Sequence, residues 1–127
     1  MENSKNIDRV KAYIEAYNRF DIEGMMTDFS DEILFQNIVD QQINLSLLGK
    51  GAFREQAEQA TELFSQRKQE VMEINELEDT VEVLIDYSGV LKIDLPNGVQ
   101  AGEVIRMQGK SIFVFQENKV VSLKDIS

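Results

Sequence analysis

The sequence has 127 residues, 43% of them hydrophobic and 28% charged, a length and composition typical of one globular domain over residues 1–127 with no room for a second. Its 13 basic and 23 acidic residues give a formal net charge of -10, which argues against a nucleic-acid partner because a polyanion would be repelled. The absence of Cys and His excludes disulfides, thiolate zinc sites and His bases, and we expect no metal and no cofactor.

The lengths of the apolar runs and the charges near the amino terminus indicate where in the cell the protein is expected. No apolar run approaches the roughly 18 residues of a membrane span, so no membrane partner is expected. Charged side chains lie among the apolar ones in the first twenty residues, which the hydrophobic region of a signal peptide would exclude. They include Lys5, Asp8, Arg9, Lys11 and Glu15. We therefore expect a cytoplasmic protein.

The first half of the chain predicts three helices. A stripe with steps of three and four residues predicts an amphipathic helix over residues 4–19. Asp21 can cap a short second helix over residues 22–29, and a similar stripe predicts a third over residues 52–65. The first stripe comprises Ile7, Val10, Ile14 and Tyr17.

Alternating or β-branched segments predict strands, joined mainly by short turns. Asn97, Gly98 and Asn118 are suited to the positive φ angles of such turns. Consecutive hairpins predict an antiparallel sheet, and Gly89 inside one long strand indicates a bend or bulge that would curve it. The predicted strands cover residues 33–39, 69–77, 80–95, 102–116 and 119–126.

Two segments and one glycine carry a family resemblance. Residues 13–24, YIEAYNRFDIEG, resemble the first helix and turn of SnoaL-like and ketosteroid isomerase-like proteins of the nuclear transport factor 2-like superfamily. Gly49 before the third helix and residues 113–120, FVFQENKV, are similar to the same family. The resemblance implies an α+β cone, in which a curved antiparallel sheet wraps over three helices and leaves a cavity. It is specific for the fold and only weakly specific for activity.

The resemblance to ketosteroid isomerases implies positions for three functional groups. Tyr13 falls where those enzymes have their oxyanion-stabilising Tyr, while the base and the protonated acid fall on Asn37 and Ser111. Asn cannot accept a proton at neutral pH, and Ser is a weaker donor than a carboxylic acid. Steroid isomerase activity of that type is therefore not expected.

Polyketide cyclases of the SnoaL-like kind resemble the same frame and use a carboxylate in the cavity. The family's register places Asp125 on the cavity side, as the candidate proton carrier, and the alternative is a solvated side chain near the carboxyl terminus. Tyr13 and Tyr17 lie four residues apart on one helix face. Both hydroxyls could enter the cavity, or both rings could be core residues with hydroxyls at the rim.

The strand pattern supplies the rest of the expected lining. Asn37 would hydrogen-bond a ligand carbonyl or be satisfied by the backbone. Alternation along the strands places further side chains on the cavity face. The predicted ligand-binding residues are Tyr17, Asn37, Tyr87, Met107, Ser111, Phe113 and Leu123.

The outer face of the sheet carries Leu84, Ile112 and Val114 among charged neighbours, which is more apolar than a water-facing sheet favours. We predict a homodimer through this face, an arrangement that the resemblance also favours.

Two functions are open. One is an isomerase, cyclase or lyase that binds an apolar, carbonyl-bearing or cyclic small molecule, with Tyr13 stabilising oxygen charge and Asp125 shuttling a proton. The other is a non-catalytic homodimeric ligand carrier or dimerisation module.

Overall fold

A computed structural model describes residues 5–127, which form three helices and six strands in an α+β arrangement. No helix in residues 5–127 is both long and apolar enough to cross a membrane. The elements in chain order are α1 (Lys5–Asn18), α2 (Ile22–Met26), β1 (Phe29–Val39), β2 (Gln42–Leu48), α3 (Lys50–Thr61), β3 (Phe64–Leu77), β4 (Thr80–Leu91), β5 (Val104–Gln116) and β6 (Lys119–Ile126).

The strands form one curved sheet with the order β2-β1-β6-β5-β4-β3. Neighbouring strands are antiparallel except β1 and β6, which are parallel. The expectation of a purely antiparallel sheet is therefore wrong at this pair. No hairpin joins β1 to β6, so hairpin geometry does not set their relative direction. Helix α1 packs on β3 and β4, and α3 packs on β1, β2 and β3.

The predicted helices exist, with shifted ends. The Asp21 cap is confirmed, since the backbone amide of Gly24 donates to its Oδ1 at 3.0 Å. Helix α2 ends before its predicted limit because Phe29 begins β1 and packs against Tyr13 and Phe53 in the core. Helix α3 starts two residues before and ends four residues before the prediction, because Phe64 already belongs to β3. Residue 4, the predicted start of the first helix, lies outside the described residues.

Strand β2 is absent from the sequence prediction. It is joined to β1 by a two-residue turn in which Asp40 and Gln41 have φ angles of 52° and 67°. Two successive positive φ angles define the hairpin turn that matches strand twist, and its usual sequence signal is Asn-Gly or Asp-Gly. Asp-Gln is a weak signal for that turn, so the hairpin was missed.

The later hairpins differ from the prediction in their lengths. Strand β3 starts five residues before its predicted start, while residues 92–103 form a loop instead of extending β4 and β5. No register shift occurs at Gly89, and the irregular pairing lies in β3. Gly89 instead makes room for a neighbour, because a Cβ there would lie 2.8 Å from the Phe64 ring. Asn118 adopts the expected positive φ, 68°.

The core lies between the helices and the covered face of the sheet. Helix α1 contributes Val10, Tyr13, Ile14 and Ala16 to it. Phe113 and Leu123 are almost completely buried within the same cluster. The strand register places Leu84, Ile112 and Val114 on the opposite, outer face, where Leu84 remains 40% exposed.

Candidate functional site

Three polar side chains occupy neighbouring positions across the middle of the sheet. Asn37 on β1 pairs with Asp125 on β6, which in turn pairs with Ser111 on β5. Paired residues project from the same face of a sheet, so these three side chains lie side by side. The Oγ of Ser111 donates a hydrogen bond of 2.7 Å to Oδ1 of Asp125.

The Asp125 carboxyl is set to exchange a proton close to neutral pH. Burial raises its pKa to about 6 from the ordinary value of 3.8, while the hydrogen bond from Ser111 opposes this rise. The structure therefore places Asp125 partly buried against Ser111, in contrast to the solvated alternative. At pH 7 the carboxylate form predominates, and the acid form is accessible.

Tyr13 approaches this carboxyl from helix α1. Its ring stacks on Phe29 at 5.8 Å between centroids and meets the edge of Phe113 at 5.4 Å. Burial raises the pKa of Tyr13 well above 10.0, and the negative charge of Asp125 raises it further. The hydroxyl thus stays protonated and serves as a hydrogen-bond donor.

Tyr17, one turn further along α1, pairs with Tyr87 from β4. The ring centroids are 6.2 Å apart at 64°. Burial raises the pKa of both hydroxyls, and the hydrogen bond between them raises the pKa of Tyr17 further and lowers that of Tyr87. The pair forms a polar contact inside a largely apolar wall.

Two buried polar residues on β3, Arg67 and Gln69, were not among the predicted site residues, and they are 6% and 8% exposed. The Nε of Arg67 donates to the carbonyl oxygen of Tyr17 at 2.9 Å, and its guanidinium lies 3.7 Å from the Tyr17 ring centroid. The backbone of Gln69 is held by Asn18, whose Oδ1 accepts from the Gln69 amide at 2.7 Å. Arg67 lay before the predicted strand, which began at residue 69. Only the alternation of side chains along the strand that starts at Gln69 could have indicated burial. Alternation alone does not distinguish a buried Arg or Gln from an exposed one.

Two open cavities lie next to each other at this polar row. The first has a volume of about 180 Å³ and the second about 230 Å³, and both are lined by Tyr17, Asn37 and Asp125. Their joint size suits a small organic molecule. The first is also lined by Gln69, Tyr87, Met107 and Ser111, and the second by Tyr13, Gln56 and Arg67.

The structure thus brings most of the predicted site residues together, with two qualifications. Met107 is 47% exposed and lies at the mouth of the first cavity. Phe113 and Leu123 line neither cavity, because they are packed in the core beneath it. In residues 5–127 no group of three or more acidic side chains is placed to hold a metal ion.

Comparison with known proteins decides the family. The model of the SnoaL-like domain matches residues 10–123 of the sequence. The chain belongs to the SnoaL-like family. This agrees with the resemblance carried by residues 13–24 and 113–120. No curated protein matches the chain at a significant level.

Solved structures show the same fold at low sequence identity. A candidate polyketide cyclase from Xanthomonas campestris pv. campestris has a TM-score of 0.82 at 16% identity, with 95% of this chain and 88% of that one covered. IdmH, a candidate polyketide cyclase from Streptomyces antibioticus, has a TM-score of 0.80 at 13% identity, with coverages of 97% and 91%. A protein with a ketosteroid isomerase-like fold from Catenulispora acidiphila, solved with trimethylamine, has a TM-score of 0.75 at 12% identity, with coverages of 93% and 83%. The SnoaL-like chain thus has the nuclear transport factor 2-like fold.

Proposed function

We propose that this SnoaL-like protein binds an apolar, carbonyl-bearing or cyclic small molecule in the two neighbouring cavities and moves a proton on it, as an isomerase, cyclase or lyase does. The observation that carries this proposal is the position of Asp125, a carboxyl with a raised pKa that lines both cavities. A carboxyl that ionises near neutral pH can accept a proton and return it within one catalytic cycle.

The proposed step uses groups already in place. The Asp125 carboxylate takes a proton from a carbon next to the ligand carbonyl, and the electron pair moves onto the carbonyl oxygen to form an enolate. Tyr13, which remains protonated, donates a hydrogen bond to that oxygen as its charge develops. Asn37 orients the ligand through its amide. Asp125 then returns the proton to the far carbon of a conjugated enolate in an isomerase. In a cyclase the enolate carbon attacks an internal carbonyl carbon, whose electron pair moves onto its oxygen, and Asp125 gives the proton to that oxygen.

A proton-transfer test does not require the natural substrate. The protein is mixed with 2-tetralone in D₂O, and exchange of the hydrogens beside the carbonyl is followed by proton NMR. We expect the wild-type protein to accelerate exchange and Asp125→Asn to lose that acceleration while tetralone still shifts the cavity resonances. Asp86→Asn, an exposed position on β4, is the matched control and should exchange like the wild type.

The second candidate function is a non-catalytic carrier. It is favoured by Asn37 and Ser111, which have no carboxyl group where the resemblance to ketosteroid isomerases implies a base and a protonated acid. A carrier would bind tetralone without accelerating exchange, and Asp125→Asn would then leave both measurements unchanged. That result would contradict the enzymatic proposal and support the carrier.

The assembly, domain extent and location are also proposals. We propose a homodimer through the outer sheet face, supported by the 40% exposure of Leu84 and the partial exposure of Ile112 and Val114. We further propose that residues 1–127 act as one SnoaL-like domain in the cytoplasm, without a metal or cofactor, as expected from the sequence.

A further inference from the structure

Arg67 is a buried cation with few hydrogen-bond acceptors around it. Its guanidinium has five N–H donors, of which the one on Nε reaches the Tyr17 carbonyl oxygen. Nη2 faces the sulfur of Met25 at 3.9 Å, and a thioether is a weak acceptor. Within residues 5–127 no carboxylate forms an ion pair with Arg67. Burying a charge in this way costs free energy that an anion would offset.

Part of that cost is offset by the end of helix α1. The guanidinium lies over the rings of Tyr17 and Phe20, 3.7 and 4.6 Å from their centroids, and it sits at the carbonyl end of the helix. Both arrangements favour a cation. They engage Nε and the faces of the guanidinium plane, so among the described residues the terminal nitrogens keep only the weak contact of Nη2 with the Met25 sulfur. Arg67 lines the second cavity, so these nitrogens are available to a ligand there.

A second buried polar group, also on β3, has no hydrogen-bond partner in the described chain. The Oε1 of Gln69 is buried and accepts no hydrogen bond within the described chain, although its residue lines the first cavity. A buried polar atom left unpaired is costly and is a common mark of a ligand contact. Gln69 follows Arg67 by two residues on β3, on the same face. A ligand lying along β3 would therefore meet a cation and then an acceptor.

We propose that a small organic acid spans the two cavities, with its carboxylate on Arg67 in the second and a hydroxyl or N–H group that donates to Gln69 at the first. This inference rests on the proposed function only in taking the cavity as a ligand site, and it holds for an enzyme or a carrier. A carboxylate on a guanidinium forms two parallel charge-assisted hydrogen bonds, which an amide of the same shape cannot form.

The test compares two probes that share a shape and differ in charge, 1-naphthoate and 1-naphthamide. Binding is measured by calorimetry at pH 5.5, where naphthoate is ionised and Asp125, with its pKa of about 6, is largely protonated. We expect naphthoate to bind at least about 10-fold more tightly than naphthamide. Arg67→Gln should remove this preference by weakening naphthoate binding alone.

Arg67→Gln removes a buried side chain, so a second variant tests the inference without touching the core. Gln56→Glu places a carboxylate in the second cavity, where it competes for Arg67. It should weaken naphthoate binding about 10-fold and leave naphthamide binding unchanged. Gln59→Glu makes the same change at an exposed position of α3 and should leave both affinities unchanged.

The outcomes separate this inference from the proposed function. If the two probes bind equally tightly and Gln56→Glu changes neither affinity, the proposal of an organic acid is wrong, while ligand binding in the cavity still holds. Arg67 would then only stabilise the carboxyl-terminal end of helix α1. No binding of either probe up to millimolar concentration would overturn both. A preference for naphthoate that survives both variants would also overturn the role of Arg67.

Discussion

Ser111 on β5 donates a 2.7 Å hydrogen bond to Asp125, its paired residue on β6. The bond acts against burial, because it stabilises the ionised carboxylate and lowers the pKa that burial raises. The two effects together set the pKa of Asp125 at about 6. The paired strands therefore tune the carboxyl that the proposed chemistry requires.

Removing the Ser111 hydroxyl should raise the pKa of Asp125 further. A hydrogen bond of about 1 kcal/mol corresponds to roughly one pKa unit, so Ser111→Ala should shift the titration upward by about that amount. Tetralone exchange should then reach its maximum at a correspondingly higher pH. The control is Ser122→Ala. Ser122 lies on β6, the strand of Asp125, and its side chain faces the opposite side of the sheet. An unchanged profile in Ser111→Ala would show that the hydrogen bond does not tune the carboxyl.

The raised pKa of Asp125 also makes stability depend on pH. Because the folded protein binds this proton more tightly than the unfolded chain does, the contribution of Asp125 to stability is fully present below pH 3.8 and is lost as pH rises through about 6. Asp125→Asn cannot ionise, so relative to the wild type it should gain about 2 kcal/mol in free energy of unfolding between pH 4 and pH 8. Urea denaturation at the two pH values measures this. The prediction is wrong if the free energies of unfolding of Asp125→Asn and the wild type differ by the same amount at pH 4 and pH 8.

The family resemblance supplied the cone-shaped fold, and local signals in the sequence predicted several of its elements. The amphipathic stripe of α1, the Asp21 cap and the last hairpin with Asn118 each depend on residues close in the chain. Strand β2 and the parallel pairing of β1 with β6 depend on a weak Asp-Gln turn and on contacts between distant segments. Those features could not be read from periodicity.

Part of the candidate site was accessible from the sequence for the same reason. Asp125, Ser111 and Asn37 follow from strand alternation together with the family register. Arg67 and Gln69 do not, since a strand pattern alone treats charged and polar residues as exposed. Their burial is set by the end of α1, where Tyr17 and Asn18 contact β3.

The unpaired oxygen of Gln69 should be a cost to the empty protein. Gln69→Leu removes it with a side chain of similar size, so we expect the free energy of unfolding to rise by about 1 kcal/mol. Gln66→Leu, at an exposed position on the same strand, should change it little. Chemical denaturation measures both. Destabilisation by Gln69→Leu would show that its amide is already satisfied.

The proposed dimer predicts a different response at two equally exposed apolar residues. Leu84 on the outer face and Ile93 in the loop of residues 92–103 are 40% and 42% exposed. Sedimentation should give twice the 14.5 kDa chain mass for the wild type and for Ile93→Asp. Leu84→Asp should sediment as a monomer, because a carboxylate would be buried against its copy. A wild-type monomer at micromolar concentration would contradict the dimer.

The most direct measurement is a carbon-13 NMR titration of the Asp125 carboxyl, assigned by comparison with Asp125→Asn. The account predicts a midpoint at about pH 6. It also predicts that the pH dependence of tetralone exchange follows the same midpoint. A midpoint near the ordinary 3.8 would show a solvated carboxylate with no special fitness for proton transfer, and would contradict the account.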